Sequence, residues 1–180
     1  MESKNLIIRE TVFSDCALFA EWEKKDYIQE SFTMSRDRDY EEIVKEYVIR
    51  TQEPDKLQFT IVYREEDKPI GRIYISRIDR QADSLDFTRI YIGEEEYLGK
   101  GLGEEAMHLI LEYCFIQLHM ERVTLDYLPG NKRAATLYEK LGFQHEGVMR
   151  NAGKKNGRYV DLHLMSMLRA EYFEKCRRII

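Results

Sequence analysis

Two short segments carry the residue types and spacings best suited to chemistry. In Gly99-Lys100-Gly101-Leu102-Gly103-Glu104, glycines alternate with larger residues just before a helical pattern begins. Glycines let successive backbone N–H groups crowd round one anion, and the start of the following helix adds partial positive charge. A diphosphate suits that environment, with Lys100 as an added cation. Alone, the segment is equally compatible with a plain tight turn. A Walker loop is excluded, because Lys100 is followed by Gly101 and not by the Ser or Thr that would hold magnesium. Gly101 to Ala106 also satisfies the dinucleotide pattern G-x-G-x-x-A, with Asp126 placed to meet a ribose, which would make the chain an oxidoreductase. That reading ranks lower, since Gly93 to Leu98 separate the glycines from their strand and the preceding residues read as antiparallel hairpins.

The second segment runs from Asn131 to Phe143. Asn131 and Tyr138 are seven positions apart, nearly two helical turns, so an amide and a phenol project from roughly one face and could line one cleft. Judged without the upstream glycines, the plainer reading is that Asn131 caps the helix and Tyr138 packs in the core.

The elements that must position these segments follow from periodicity. Leu6 to Glu10 reads as a strand; Ser14 is placed to cap a helix through Lys24, and Arg38 to Thr51 repeats apolar residues at helical spacing. Gln58 to Arg64 and Ile70 to Ile78 form a hairpin pattern across a charged turn, and Leu85 to Ile92 adds a third strand. A helix is predicted from Leu102 to about His119, a strand from Arg122 to Tyr127, and a short helix from Asn131 to its stop at Gly142. Phe143 to Arg150 and Arg158 to Leu168 are two further strands joined by a Gly153 to Gly157 loop, with a helical tail after Ala170. The expected architecture is a mixed-sheet α/β (α+β) fold in the order βαα-βββ-α-β-α-ββ, a single domain over residues 1–180.

Composition narrows the function. A formal net charge of -5 speaks against a nucleic-acid-binding surface and suits a cationic substrate. Charged residues interrupt every apolar run well short of a bilayer span, and no signal-type segment opens the chain, so no membrane partner and a cytoplasmic location are expected. Cys16, Cys114 and Cys176 are odd in number and widely spaced, which suggests neither disulfides nor zinc; the four histidines show no ligand spacing, and no metal is expected.

Taken together and in this order, the two segments resemble the GNAT N-acetyltransferases. The family's cofactor motif Q/R-x-x-G-x-G/A aligns with Leu98 to Gly103, and its later helix N-x-x-A-x-x-L-Y-E-K-x-G-F is reproduced by Asn131 to Phe143. Leu98 stands where the family has Gln or Arg, so backbone amides would have to hold the diphosphate without that side chain. The resemblance implies acetyl-CoA as cosubstrate, held by Ile90, Tyr91 and Ile92 along a strand, by Leu98, Gly99, Lys100, Gly101, Leu102, Gly103 and Glu104 at the turn, and by Asn131, Arg133, Ala134 and Tyr138 on the later helix. It implies Tyr138 as the acid that protonates the departing sulfur, and Asp86 as a base acting through water unless it is only an exposed strand charge. Trp22, Tyr27 and Phe32 are placed to line an acceptor pocket or to pack a core, and Glu94 to Glu96 to form a solvated loop. The segment from Glu146-Gly147 to Asp161 is similar to the subgroups that acetylate polyamines and ribosomal-protein N-termini, so the expected partner is a primary amine; a homodimer is an option the family allows. A non-catalytic acyl-CoA-binding module is the alternative, motivated by Leu98.

Overall fold

The computed structural model describes residues 1–35 and 38–177. Its elements are β1 (Leu6–Glu10), α1 (Asp15–Trp22), α2 (Asp26–Ser31), α3 (Tyr40–Thr51), β2 (Leu57–Tyr63), β3 (Lys68–Asp79), β4 (Ser84–Ile92), α4 (Leu102–Glu112), β5 (Arg122–Tyr127), α5 (Lys132–Leu141), β6 (Gln144–Lys155), β7 (Arg158–Leu168) and α6 (Arg169–Arg177). The strands form one sheet in the order β1-β2-β3-β4-β5-β7-β6. Among the described residues only β4 and β5 pair in parallel, because α4 carries the chain back between them. The fold is thus the expected mixed α/β class.

Alternation along the strands gives the sheet two buried faces. On one, Ile73, Ile75, Leu85 and Phe87 meet Ala106, Ile110 and Leu111 of α4 and Leu141 of α5. On the other, Tyr91 meets Phe19, Trp22, Ile28 and Ile43 from α1, α2 and α3. That second face is also tied by charge. Glu23 and Glu46 together hold Arg38, Arg50, Arg72 and Arg89, with Arg72 2.7 Å from Glu23 and 3.1 Å from Glu46, and Arg89 3.1 Å from Glu46. Arg72 and Glu23 are almost wholly buried. Among the described residues Glu23 Oε2, 2.9 Å from Arg38, has no hydrogen-bond geometry and Arg72 Nε has no acceptor.

Several boundaries differ from expectation. The first helix, expected from Ser14 through Lys24, runs from Asp15 to Trp22, and an unpredicted short helix, α2, follows it, so three helices, and not two, lie between β1 and β2. Glu23, still helical in its backbone, points its side chain inward to Arg72, while Lys25 adopts an extended backbone that separates α1 from α2 and donates to the Gly93 carbonyl at 2.8 Å. Ser14 makes no capping bond; Asp15 instead accepts from the Val12 N–H at 3.0 Å and from Arg9. Asp39 caps α3 by accepting from the Glu42 N–H at 2.9 Å, which starts that helix at Tyr40. The long helix regular to Glu112 continues to Gln117 as a wider turn, with the Leu118 N–H reaching the Tyr113 carbonyl. β6 runs straight through the expected loop, leaving only Asn156-Gly157 as a two-residue hairpin turn, the dipeptide that mirror-type turns favour. Of the predicted helical tail, residues 178–180 lie outside the described residues.

One irregularity decides where the site lies. In the β3–β4 pairing, Tyr74 opposes Arg89 and Ile75 opposes Phe87, so Thr88 is an unopposed extra residue, a β-bulge. Before it, Leu85 and Phe87 face the α4 core; after it, Ile90 and Ile92 do. The bulge shifts the alternation by one residue and bends β4, and pairing with β5 ends at Phe87 and Leu125. Beyond that point the two strands diverge.

Candidate active site

The divergence opens a cleft walled by Ile90, Tyr91 and Ile92 on β4 and by Asp126 and Tyr127 on β5. Gly103 and Met107 of α4 and Asn131, Arg133, Ala134, Leu137 and Tyr138 from the α5 region close one side, and Tyr27, Ile28, Ser31 and Phe32 close the other. The β4 peptide groups do not all face it. The Gly93 N–H donates to the Ile70 carbonyl at 2.7 Å. Bonded pairs alternate in an antiparallel ladder, so the next bonded pair is Arg72 with Tyr91. The Tyr91 N–H and C=O are therefore spent on β3, and its ring packs among the α1 to α3 residues, with the hydroxyl donating to Glu23 at 3.2 Å. Ile90 and Ile92 present their peptide groups to the opening, where the Tyr27 hydroxyl donates to the carbonyls of Gly93 at 2.8 Å and Ile92 at 3.3 Å. Desolvation and the nearby charges of Glu95 and Glu94 push the Tyr27 phenol up to about 12.

At one end of the cleft a short turn, Glu95–Tyr97, leads into the glycine segment. Gly101 adopts φ 79, a left-handed conformation that a side chain would strain, and it heads α4 with no side chain capping the helix start. The first N–H groups of α4 are thus left to a ligand or to water. Nothing lies within 4 Å of where a side chain on Gly103 would project. Leu98 packs against the core and also lines the cleft, supplying no polar contact. Leu102 is a core residue and Glu104 is paired with Lys140 at 2.7 Å, so these two have only their backbone to offer an anion. Gly99, Lys100 and Gly101 form the rim and do not line the cleft itself; Lys100 stands over the Tyr97 ring, 5.1 Å from its centre.

α5 unites the two readings of its segment. Asn131 Oδ1 accepts from the Ala134 N–H at 3.1 Å, a helix cap, and Asn131 still borders the cleft. The Gly142 N–H reaches the carbonyls of Tyr138 and Glu139 and ends the helix. Tyr138 is buried between Tyr127 and Phe143, with ring centres 6.2 and 5.9 Å away. Among the described residues no protein hydrogen bond holds its hydroxyl. Burial first, and then the charge of Asp126, raise the phenol well above its ordinary value, so it stays protonated across the physiological range.

The carboxylates part company with the sequence reading. Asp86 does not line the cleft. It lies beneath it, 7% exposed, accepting from Thr124 at 2.9 Å and Thr88 at 3.1 Å. Asp126, assigned from sequence only to a ribose, is the first β5 residue beyond the paired stretch and projects into the cleft. The side chain reaches solvent at the mouth, yet the protein around it and the like charge of Asp86 raise it to about 6, against a lowering by Arg77. Position relative to a bulge is the signal that would have found it, and the bulge itself is not written in any local pattern. Of the aromatic candidates, Tyr27 and Phe32 line the cleft, whereas Trp22 packs so closely on Gly93 that an added side-chain carbon would fall 2.1 Å from the indole. No histidine lines the cleft; His145 and His163 contact each other at 2.9 Å on the outer hairpin.

The cleft thus joins a sheet prised open between parallel strands, an uncapped glycine-rich helix start at one end, and a phenol buried beside a carboxylate. The family model described as "Acetyltransferase (GNAT) domain" matches residues 5–144, and the chain belongs to that family. It is 27% identical over 176 residues to the probable N-acetyltransferase YjcK of Bacillus subtilis, covering 93% of this chain and 96% of the relative. It is 30% identical over 104 residues to the [ribosomal protein uS5]-alanine N-acetyltransferase of Escherichia coli, covering 58% of this chain and 53% of the relative. The crystal structure of spermidine N-acetyltransferase from Vibrio cholerae in complex with CoA and spermine superposes with a TM-score of 0.86 at 23% identity, covering 95% of this chain and 99% of that one, a likeness of fold. The dinucleotide reading is thereby overturned: β4 and β5 form a single parallel pair with antiparallel neighbours on both sides, and not repeated βαβ units. No helix among the described residues is long and apolar enough to cross a membrane.

Proposed function

We propose that the chain transfers an acetyl group from acetyl-CoA to a primary amine by direct attack on the thioester. The observation that carries the reading is the meeting of Asp126 and Tyr138 in one cleft, beside the peptide N–H groups of Ile90 and Ile92 that face away from β3. Acetyl-CoA supplies an activated thioester carbonyl, and the residues present fit it: uncapped N–H groups at the start of α4 with open space at Gly103 suit a diphosphate, with Arg133 as a nearby cation. Asp126 takes one proton from the acceptor ammonium, leaving a neutral amine to form the C–N bond. A peptide N–H of Ile90 or Ile92 supports the negative charge on the carbonyl oxygen. Tyr138 gives its proton to the sulfur as the C–S bond breaks and regains one from the new amide nitrogen; Asp126 returns its proton to water.

The acceptor classes suggested by the relatives are polyamines and protein N-termini. Among the described residues Asp126 is the one carboxylate lining the cleft, set among the rings of Tyr27, Phe32, Tyr91 and Tyr127. One carboxylate matches one ammonium, which favours a protein N-terminus or a small monoamine over a linear polycation.

Thiol release from acetyl-CoA, measured across a panel of peptides, monoamines and polyamines, tests the reading. Release should be fastest with single-ammonium acceptors. Because the Asp126 carboxylate must be ionised to act and its pKa is raised to about 6, kcat/KM should fall as pH drops through that value. Bound CoA with no thiol release from any acceptor would instead identify a binding module.

A further inference from the structure

Asp86 is a carboxylate that the proposed reaction does not use, and its surroundings are too ordered for an incidental strand charge. Thr124 Oγ1 donates to one of its oxygens at 2.9 Å and Thr88 Oγ1 to the other at 3.1 Å. Ser76 Oγ in turn meets Thr88 Oγ1 at 2.6 Å, so with Thr88 donating to Asp86, Ser76 donates to Thr88. Thr124 Oγ1 is also 3.2 Å from the Leu85 carbonyl, but its single proton goes to the stronger, charged acceptor. Both carboxylate oxygens thus accept, the arrangement an ionised group needs, although burial works against the charge and raises the Asp86 pKa. Asp86 sits opposite Thr124 in the parallel register, and Asp126 lies two residues beyond Thr124 on the same strand and the same face. The bulge residue Thr88, which ends the pairing, is one of the two residues that pin Asp86.

We propose that Asp86 is a positioning residue: a fixed negative charge, held by Thr88 and Thr124 beneath the cleft, that makes its neighbour Asp126 a better proton acceptor. The proposal rests on the reading of Asp126 as the base. The groups facing Asp126 are Asp86 from β4, Arg77 from β3, and Tyr138 from α5, with Tyr27 and Arg133 also on the cleft. Of these, Asp86 is the one that favours protonation by like charge, and Arg77 opposes it. Without Asp86, Asp126 would ionise nearer to an ordinary carboxylate and would bind the ammonium's proton less well.

The test is a pH titration of Asp126 in the free protein, followed by the NMR signal of its carboxyl carbon, alongside kcat/KM profiles. Asp86→Asn keeps the shape and removes the charge, with one threonine hydroxyl turning to accept from the new amide nitrogen, so the Asp126 midpoint should move down by about one pH unit, and the acid limb of kcat/KM with it. Thr124→Val, which withdraws one of the stabilising donors, should move the midpoint in the same direction by less, and it serves if Asp86→Asn does not fold. An Asp126 midpoint unmoved in the folded variant that is obtained overturns the proposal, since a merely structural Asp86 would lower activity without shifting the titration. The two readings fail separately: if Asp126→Asn leaves the acid limb intact, Asp126 is not the base, whereas the NMR titration reports on Asp86 in either case.

Discussion

The two faces of the sheet build their halves of the cleft from different materials. On the α4 and α5 face the donor side is made of peptide groups: an uncapped helix start, strand amides that face away from β3, and one phenol carried by a short, well-capped helix. On the α1 to α3 face the acceptor side rests on side-chain charge, two glutamates gripping four arginines across more than sixty residues of chain. Backbone sites depend on local conformation and tolerate most changes around them. Charge networks depend on every partner at once, since a buried ion that loses its counter-ion keeps the full cost of desolvation.

Four single substitutions would break or sharpen that contrast. Tyr138→Phe removes only the proton donor, so kcat should fall by roughly 10²–10⁴-fold while KM for acetyl-CoA and thermal stability stay put; a drop of less than tenfold in steady-state assays would remove the phenol from the mechanism. Arg72→Met leaves Glu23 buried without its closest partner and should cost about 3–5 kcal/mol, read as a melting temperature lower by about 10 °C, with much of the loss recovered when Glu23→Gln is added. If the single variant melts like the parent, the acceptor face does not depend on its ion network. The smallest effect separates two glycines in one turn. Gly101→Ala should destabilise by roughly 1–2 kcal/mol because its φ is left-handed, whereas Gly103→Ala meets no neighbour and should stabilise α4 by up to about 1 kcal/mol. Both should raise KM for acetyl-CoA, so opposite shifts in melting temperature with the same shift in KM would mark the turn as a ligand cradle.

The same contrast explains what could be read from the chain. The glycine turn, the Asn131 cap, the Gly142 stop and the Tyr138 face are local, and their residues state their own conformations. The end of the first helix and the separate α2 were hidden because their anchors are remote: Glu23 meets Arg72, 49 positions away, and Lys25 reaches the Gly93 carbonyl. Asp86 and Asp126 exchanged expected places for a similar reason: both fall late or early on predicted strands, and only the pairing register reveals which one passes the end of the ladder. The Gly153 to Lys155 stretch looked like a loop by composition, yet pairing with Tyr159 and Val160 holds it extended.

The unpaired Thr88 has a consequence for how this molecule can diversify. Because one surplus position offsets the strand, side chains upstream and downstream of it obey different parity rules, and the cleft opens beside the seam where those rules change. Removing that single residue would make Phe87 and Arg89 direct neighbours opposite Ile75 and Tyr74, leaving Ile90, Tyr91 and Ile92 on their present faces but taking away the bend that parts β4 from β5. Catalytic capacity in this chain is therefore hostage to an insertion one codon long, while the walls on either side remain free to change their chemistry.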